Sequence, residues 1–135
     1  MRVLVAYNGS MNSKSAIKQG IRKVRERGGT LIVLYVFHRD MFIDYDAGPG
    51  AEREAREEAL RLVEEAKKII ADEGKGIWSR VVVTEGNPAD EIVRFAMDEN
   101  IGLIFSPQYY DSIARRIPCP VFFVPSAAQA VTAFC

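Results

Sequence analysis

Apolar residues along this 135-residue chain fall into two patterns that take turns. The first is the short continuous run, seen in Val3-Leu4-Val5-Ala6-Tyr7 and again from Leu31 to Phe37 (LIVLYVF). A strand with one wet face would alternate apolar and polar residues, so these runs predict strands covered on both faces. The second pattern is helical. Ala16, Ile17, Ile21 and Val24 fall on one side of a helix, with Lys14, Lys18, Lys23 and Arg25 elsewhere. Gly28-Gly29 marks its end, because glycine takes the positive φ of a C-terminal cap without a Cβ clash. Strand, helix and strand make a βαβ unit with a right-handed crossover.

The alternation continues to the far end. Residues 39–50 (RDMFIDYDAGPG) read as a polar loop, and 51–73 as the strongest helix. Its apolar stripe is Ala55, Ala59, Leu62, Val63, Ala66 and Ile70, while Glu54, Arg56, Glu57, Arg61, Glu64, Lys67 and Lys68 are set to pair across single turns. Gly74 closes it. Residues 77–84 predict a third strand, and Ser79, Arg80 and Thr84 interrupt its apolar run, which suits an edge position. Asn87-Pro88 supplies an N-cap and a proline at the first helical position. The helix that follows carries Ile92, Val93, Ala96 and Met97 and runs to Asn100. A fourth strand is expected at 101–105, a short helix at 110–116 and a fifth strand at 121–124. This order predicts a doubly wound α/β sheet with helices on both faces, as one domain over 1–125. Residues 126–135 (SAAQAVTAFC) form an apolar tail without a charged side chain, expected to pack on its own domain or on a second subunit.

Composition narrows the function. Apolar residues make up 48% of the chain, enough for one continuous core. Eighteen basic residues balance eighteen acidic ones, so no global field attracts nucleic acid or an anionic membrane. Two cysteines, Cys119 and Cys135, do not make a disulfide framework. The run 3–7 is too short for a signal-peptide core, and no apolar segment approaches the roughly 20 residues of a membrane span. The expected compartment is the cytoplasm.

Four segments, in this order and spacing, carry a resemblance: VLVAYNGSMNSKSAIKQGI, LIVLYVF, EGNPADEIVRFA and CPVFFVP. Together they resemble the universal stress protein family. The resemblance implies a five-stranded parallel sheet in order 3-2-1-4-5, and a homodimer formed along the last strand, here Val121, Phe122, Phe123 and Val124. Nucleotide-binding members follow the fourth strand with a loop of pattern G-x2-G-x9-G-[ST], whose amides hold phosphates. This chain departs from that pattern. It has Ser106-Pro107-Gln108-Tyr109-Tyr110 there, and no glycine after Gly102. The family's usual first-strand Asp is Asn8, and an amide brings no charge to a ribose hydroxyl network or a magnesium shell. Ser10 matches the motif's serine, and Val36 falls where the family's second strand meets adenine.

With that strand order, ligands belong outside the carboxyl ends of the strands at the topological switch point. The pocket candidates are Tyr7, Asn8, Gly9 and Ser10 on one side, Ser106, Gln108 and Tyr109 on the other, and Val36 beside them. The simpler account of Asn8-Gly9-Ser10 is a strand-to-helix turn with ordinary capping. Tyr109 and Tyr110 either donate to a ligand or plug the crevice. His38 is the one histidine, so a Ser-His-Asp triad would need it, but no G-x-S-x-G elbow is present. Asp40, Asp44 and Asp46 lack calcium-loop spacing, and no metal site is expected. Cys119 reads as a structural thiol, Trp78 as a packed residue, and Arg115-Arg116 as a solvated helix end. The leading expectation is therefore a non-enzymatic binding or interaction module in a stress response, without the family's usual ATP binding and with no cofactor. The alternative is an adenine-nucleotide binder with a modified pocket, and a remote one is a serine hydrolase using Ser10 or Ser106.

Overall fold

A computed structural model describes residues 1–37, 48–108 and 110–124. His38, Asp40, Asp44, Asp46, Tyr109 and the tail with Cys135 lie outside these. Nine elements follow one another: β1 (Arg2–Tyr7), α1 (Met11–Arg27), β2 (Thr30–Phe37), α2 (Gly48–Glu73), β3 (Trp78–Glu85), α3 (Pro88–Asp98), β4 (Leu103–Ser106), α4 (Asp111–Arg116) and β5 (Val121–Phe123). The strands form one sheet in the order β3-β2-β1-β4-β5, every pair parallel. Val3 pairs with Leu31 on one side and Leu103 on the other, which puts β1 at the centre.

Alternation of side chains across a strand explains the continuous apolar runs. Val3, Val5 and Tyr7 join the core under α1 and α2, while Leu4 and Ala6 join the core with α3 and α4. Both faces of β1 and β2 are thus dry. Gly20 lets α1 approach closely, since a Cβ there would come 2.7 Å from Val5 Cγ2 and 2.8 Å from Leu31 Cδ1.

Several expectations shift. β4 starts at Leu103 rather than 101, because Asn100 takes φ 53° and the Gly102 N–H donates to the Arg2 carbonyl. α2 begins three residues earlier than expected. Trp78 is not packed: it is 81% exposed at the first position of the edge strand. It shares a strand face with Arg80, whose guanidinium lies 6.0 Å over the Phe95 ring and takes the place nearest α3. Met97 is exposed as well, because Ala89, Ile92, Val93 and Ala96 already fill the buried face of α3. Among the described residues no helix is long and apolar enough to cross a membrane.

Candidate functional site

The switch point falls between β1 and β4. These neighbours sit side by side, yet the chain leaves β1 towards β2 and leaves β4 towards β5, so their carboxyl ends part around a crevice.

On the β1 side the turn is closed by its own side chains. Asn8 Oδ1 accepts from the Ser10 N–H at 3.0 Å, and Ser10 Oγ accepts from the Ser13 N–H at 3.1 Å, capping α1. Ser13 is fully buried and its hydroxyl donates to the Ser10 carbonyl at 2.8 Å. Gly9 holds φ 84°, and a Cβ there would meet Leu62 Cδ2 at 2.5 Å. Tyr7 is buried with its hydroxyl engaged on the α2 side, donating to Glu65 Oε1 at 3.1 Å. Glu65 also receives Arg61 at 2.7 Å and lies 3.9 Å from Lys14 Nζ, while Arg61 pairs in addition with Glu58. Burial, then the bond to Glu65 and its charge, raise the Tyr7 phenol above its ordinary range, and Arg61 opposes the shift in part.

The β4 side is built from proline and aromatic residues. Ser106 is fully buried, its hydroxyl donating to the Gln108 carbonyl at 2.8 Å and its carbonyl accepting from the Val124 N–H at 2.8 Å. This corrects the expectation that Ser106 offers its hydroxyl to the crevice: the loop consumes it. Gln108 Oε1 is taken by the Tyr110 hydroxyl at 3.1 Å. Burial raises the Tyr110 phenol. Asn12 Nδ2 reaches the Pro107 carbonyl at 3.5 Å and ties the two turns together.

Between the turns remains a cavity of about 60 Å³, with Tyr7, Asn8, Val36, Ile92, Pro107 and Tyr110 among its walls. The structure brings Tyr7, Asn8 and Val36 to one cavity, whereas Gly9, Ser10, Ser106 and Gln108 serve the turns, and Tyr109 lies outside the described residues. Ile92 was missed. The signal for it was topological: α3 crosses from one edge strand towards β4, so its first turns pass over the crevice.

Other expectations are placed as follows. Phe122 is 52% exposed on β5, Val121 and Phe123 are half-buried, and Val124 packs into the α1-side core at 5%. Cys119 is half-buried, which raises its thiol. Arg116 pairs with Asp90 at 3.1 Å. No group of three potential metal ligands occurs among the described residues. A larger groove, about 470 Å³, lies between α2 and β3 with Leu60, Val63 and Val83 on its walls. Phe37 is also on its wall.

A family model described as the universal stress protein family matches residues 1–106. The chain belongs to that family. The match stops at the last residue of β4, leaving α4 and β5 beyond it. The universal stress protein YxiE of Bacillus subtilis (strain 168) is 26% identical over 114 residues, 76% of this chain and 75% of the relative. Among solved structures, the universal stress protein UspA from Lactobacillus plantarum superposes with a TM-score of 0.76 at 15% identity, covering 92% of this chain and 97% of the other. The universal stress protein from Archaeoglobus fulgidus in complex with dAMP superposes with a TM-score of 0.71 at 19% identity, covering 92% and 97%.

Proposed function

We propose that this family member is a binding or interaction module in a stress response, acting in the cytoplasm as a homodimer and without the family's usual ATP binding. One observation carries the reading. The crevice at the β1/β4 switch point holds about 60 Å³, whereas small-molecule pockets run to roughly 300–1,000 Å³. Pro107 and Tyr110 stand where an open phosphate loop would be needed, and no glycine after Gly102 offers a close backbone approach.

The same bonds weigh against a hydrolase. A nucleophilic serine hands its proton to a base, but Ser106 donates to a backbone carbonyl in full burial and the oxygen of Ser10 caps α1. The homodimer reading draws on β5, whose outer edge has no strand partner among the described residues and carries the exposed Phe122.

A second reading rests on Tyr7, Asn8 and Val36, which line the cavity together, and on the Archaeoglobus fulgidus relative in complex with dAMP. It is an adenine-nucleotide binder in which Tyr110 swings out. Thermal-shift titration with ATP and AMP, with and without magnesium, separates the two. The melting point stays unmoved under the first reading, and a saturable rise of several degrees overturns it in favour of the second. Light scattering tests the dimer, which a clean monomer at high concentration would remove.

A further inference from the structure

The two edges of the sheet are unlike. β5 offers three residues, whereas β3 offers eight, each matched one to one with β2 and with no other strand among the described residues. A long bare edge is a template for a further strand, and chains usually guard one with proline, lysine, a bulge or an outward charge. β3 has none of the first three: its sequence is WSRVVVTE and its register to β2 is unbroken. Its one cation does not stand guard either. Arg80 is turned onto α3, over the Phe95 ring at 6.0 Å and against Glu99 at 3.1 Å. Val83 is left half exposed along the edge, and Leu60, on the wall of the same groove, is more exposed still.

We infer that this edge pairs with the β3 edge of a second copy, antiparallel about a two-fold axis. Opposite residues of an antiparallel pair share a face, and faces alternate along a strand, so the axis passes through a residue and never between two. Val81, Val82 and Val83 are the central choices. With Val83 on the axis, only residues 81–85 find partners within the strand. With Val81 there, Arg80 faces Val82, Ser79 faces Val83 and Ile77 faces Glu85, which sets polar against apolar at each rung. With Val82 on the axis, all of 79–85 find partners: Val81 faces Val83, Arg80 faces Thr84, and Ser79 faces Glu85. Valine then meets valine, hydrogen-bonding groups meet one another, and no like charges are opposed. Trp78 comes opposite Gly86, which has no side chain to obstruct the indole, so the ring stays at the rim. The half-exposed Val83 gains an apolar partner in each copy. This self-match selects a second copy over a foreign strand, because the same residues supply both sides of every rung. β5 lies at the far side of the sheet, so the contact neither uses nor blocks the proposed dimer edge.

Cross-linking tests the register. In a background with Cys119→Ser and Cys135→Ser, three single variants are oxidised with copper phenanthroline: Val81→Cys, Val82→Cys and Val83→Cys. Val82→Cys is expected to give covalent dimer several-fold faster than either neighbour. Equal rates, a faster neighbour, or no dimer from any of the three overturns the inference. Sedimentation at high concentration gives an independent reading on the otherwise unsubstituted chain. Val83→Lys, at an exposed position, is expected to lower the average mass while circular dichroism stays that of the parent. An unchanged mass overturns the inference. A fall with Phe122→Lys alone also overturns it and leaves the β5 dimer standing, whereas a fall with Val83→Lys alone upholds it and removes the β5 dimer.

Discussion

The turns after β1 and β4 face each other across the switch point and are built in opposite ways. After β1 the chain turns through a glycine at positive φ and enters a helix of 17 residues capped by Ser10. After β4 it turns through Pro107, with Ser106 bonded back onto Gln108, and enters a helix of six residues whose N-cap, Tyr110, makes no side-chain capping bond. A ligand held at such a crevice needs free backbone N–H groups, which a long helix with a glycine entry can present and a proline turn folded on itself cannot. The β1 half has the glycine entry and long helix of a ligand-holding turn, although its first N–H groups are bonded by Asn8 and Ser10. Under the proposed reading the other half serves only its own turn.

The comparison is broken most severely at Gly9. Gly9→Val forces a branched residue to φ 84° and drives its Cβ into Leu62, so a loss of about 3 kcal/mol in urea unfolding is expected. A loss below about 1 kcal/mol would mean that the turn yields and is not the rigid half. Next comes Tyr110→Ala, which removes a half-buried ring from the cavity wall and is expected to cost about 2 kcal/mol. If Tyr110 is the plug, AMP then raises the melting point of the variant and not of the parent. No response in either would locate the obstruction at Pro107.

Smaller effects sharpen the contrast. Ser10→Ala should cost about 1 kcal/mol by uncapping α1, and Ser106→Ala about the same, because it removes the fully buried hydroxyl that holds the Gln108 carbonyl. Chemical denaturation measures both. The smallest effect is seen in alkali. The folded Tyr7 phenol titrates above its ordinary 10.0, so above that pH the unfolded chain gives up a proton that the folded one retains, and stability falls as pH rises. Tyr35 and Tyr110 are shifted the same way. Tyr7→Phe should therefore flatten part of the fall between pH 9 and 11, and an unchanged slope would show that neither burial nor the Glu65 bond holds the proton.

Much of the fold was legible because its signals are local. The runs 3–7 and 31–37 announce dry strands, Gly28 and Gly74 stop helices, and Asn87-Pro88 starts α3, its side chain accepting from the Asp90 N–H as a cap should. The resemblance added the strand order. The site was less legible because its outcome depends on partners distant in sequence. Nothing near Tyr7 indicates that Glu65, 58 positions on, takes its hydroxyl. Ser106 looked available because its acceptor is a backbone carbonyl, which leaves no mark in the side-chain pattern. Trp78 misled for a related reason: tryptophan usually packs, but at the end of an edge strand Arg80 already occupies the approach to α3.

That outward-facing indole also affects how the protein can be followed in solution. As the one tryptophan in the chain, at 81% exposure, it sits in nearly the same solvent before and after unfolding. Its emission will report little of the transition, while circular dichroism or the signal of the buried Tyr7 and Tyr35 will report it in full. A mismatch between those traces would reflect the position of one ring and would not be evidence of a folding intermediate.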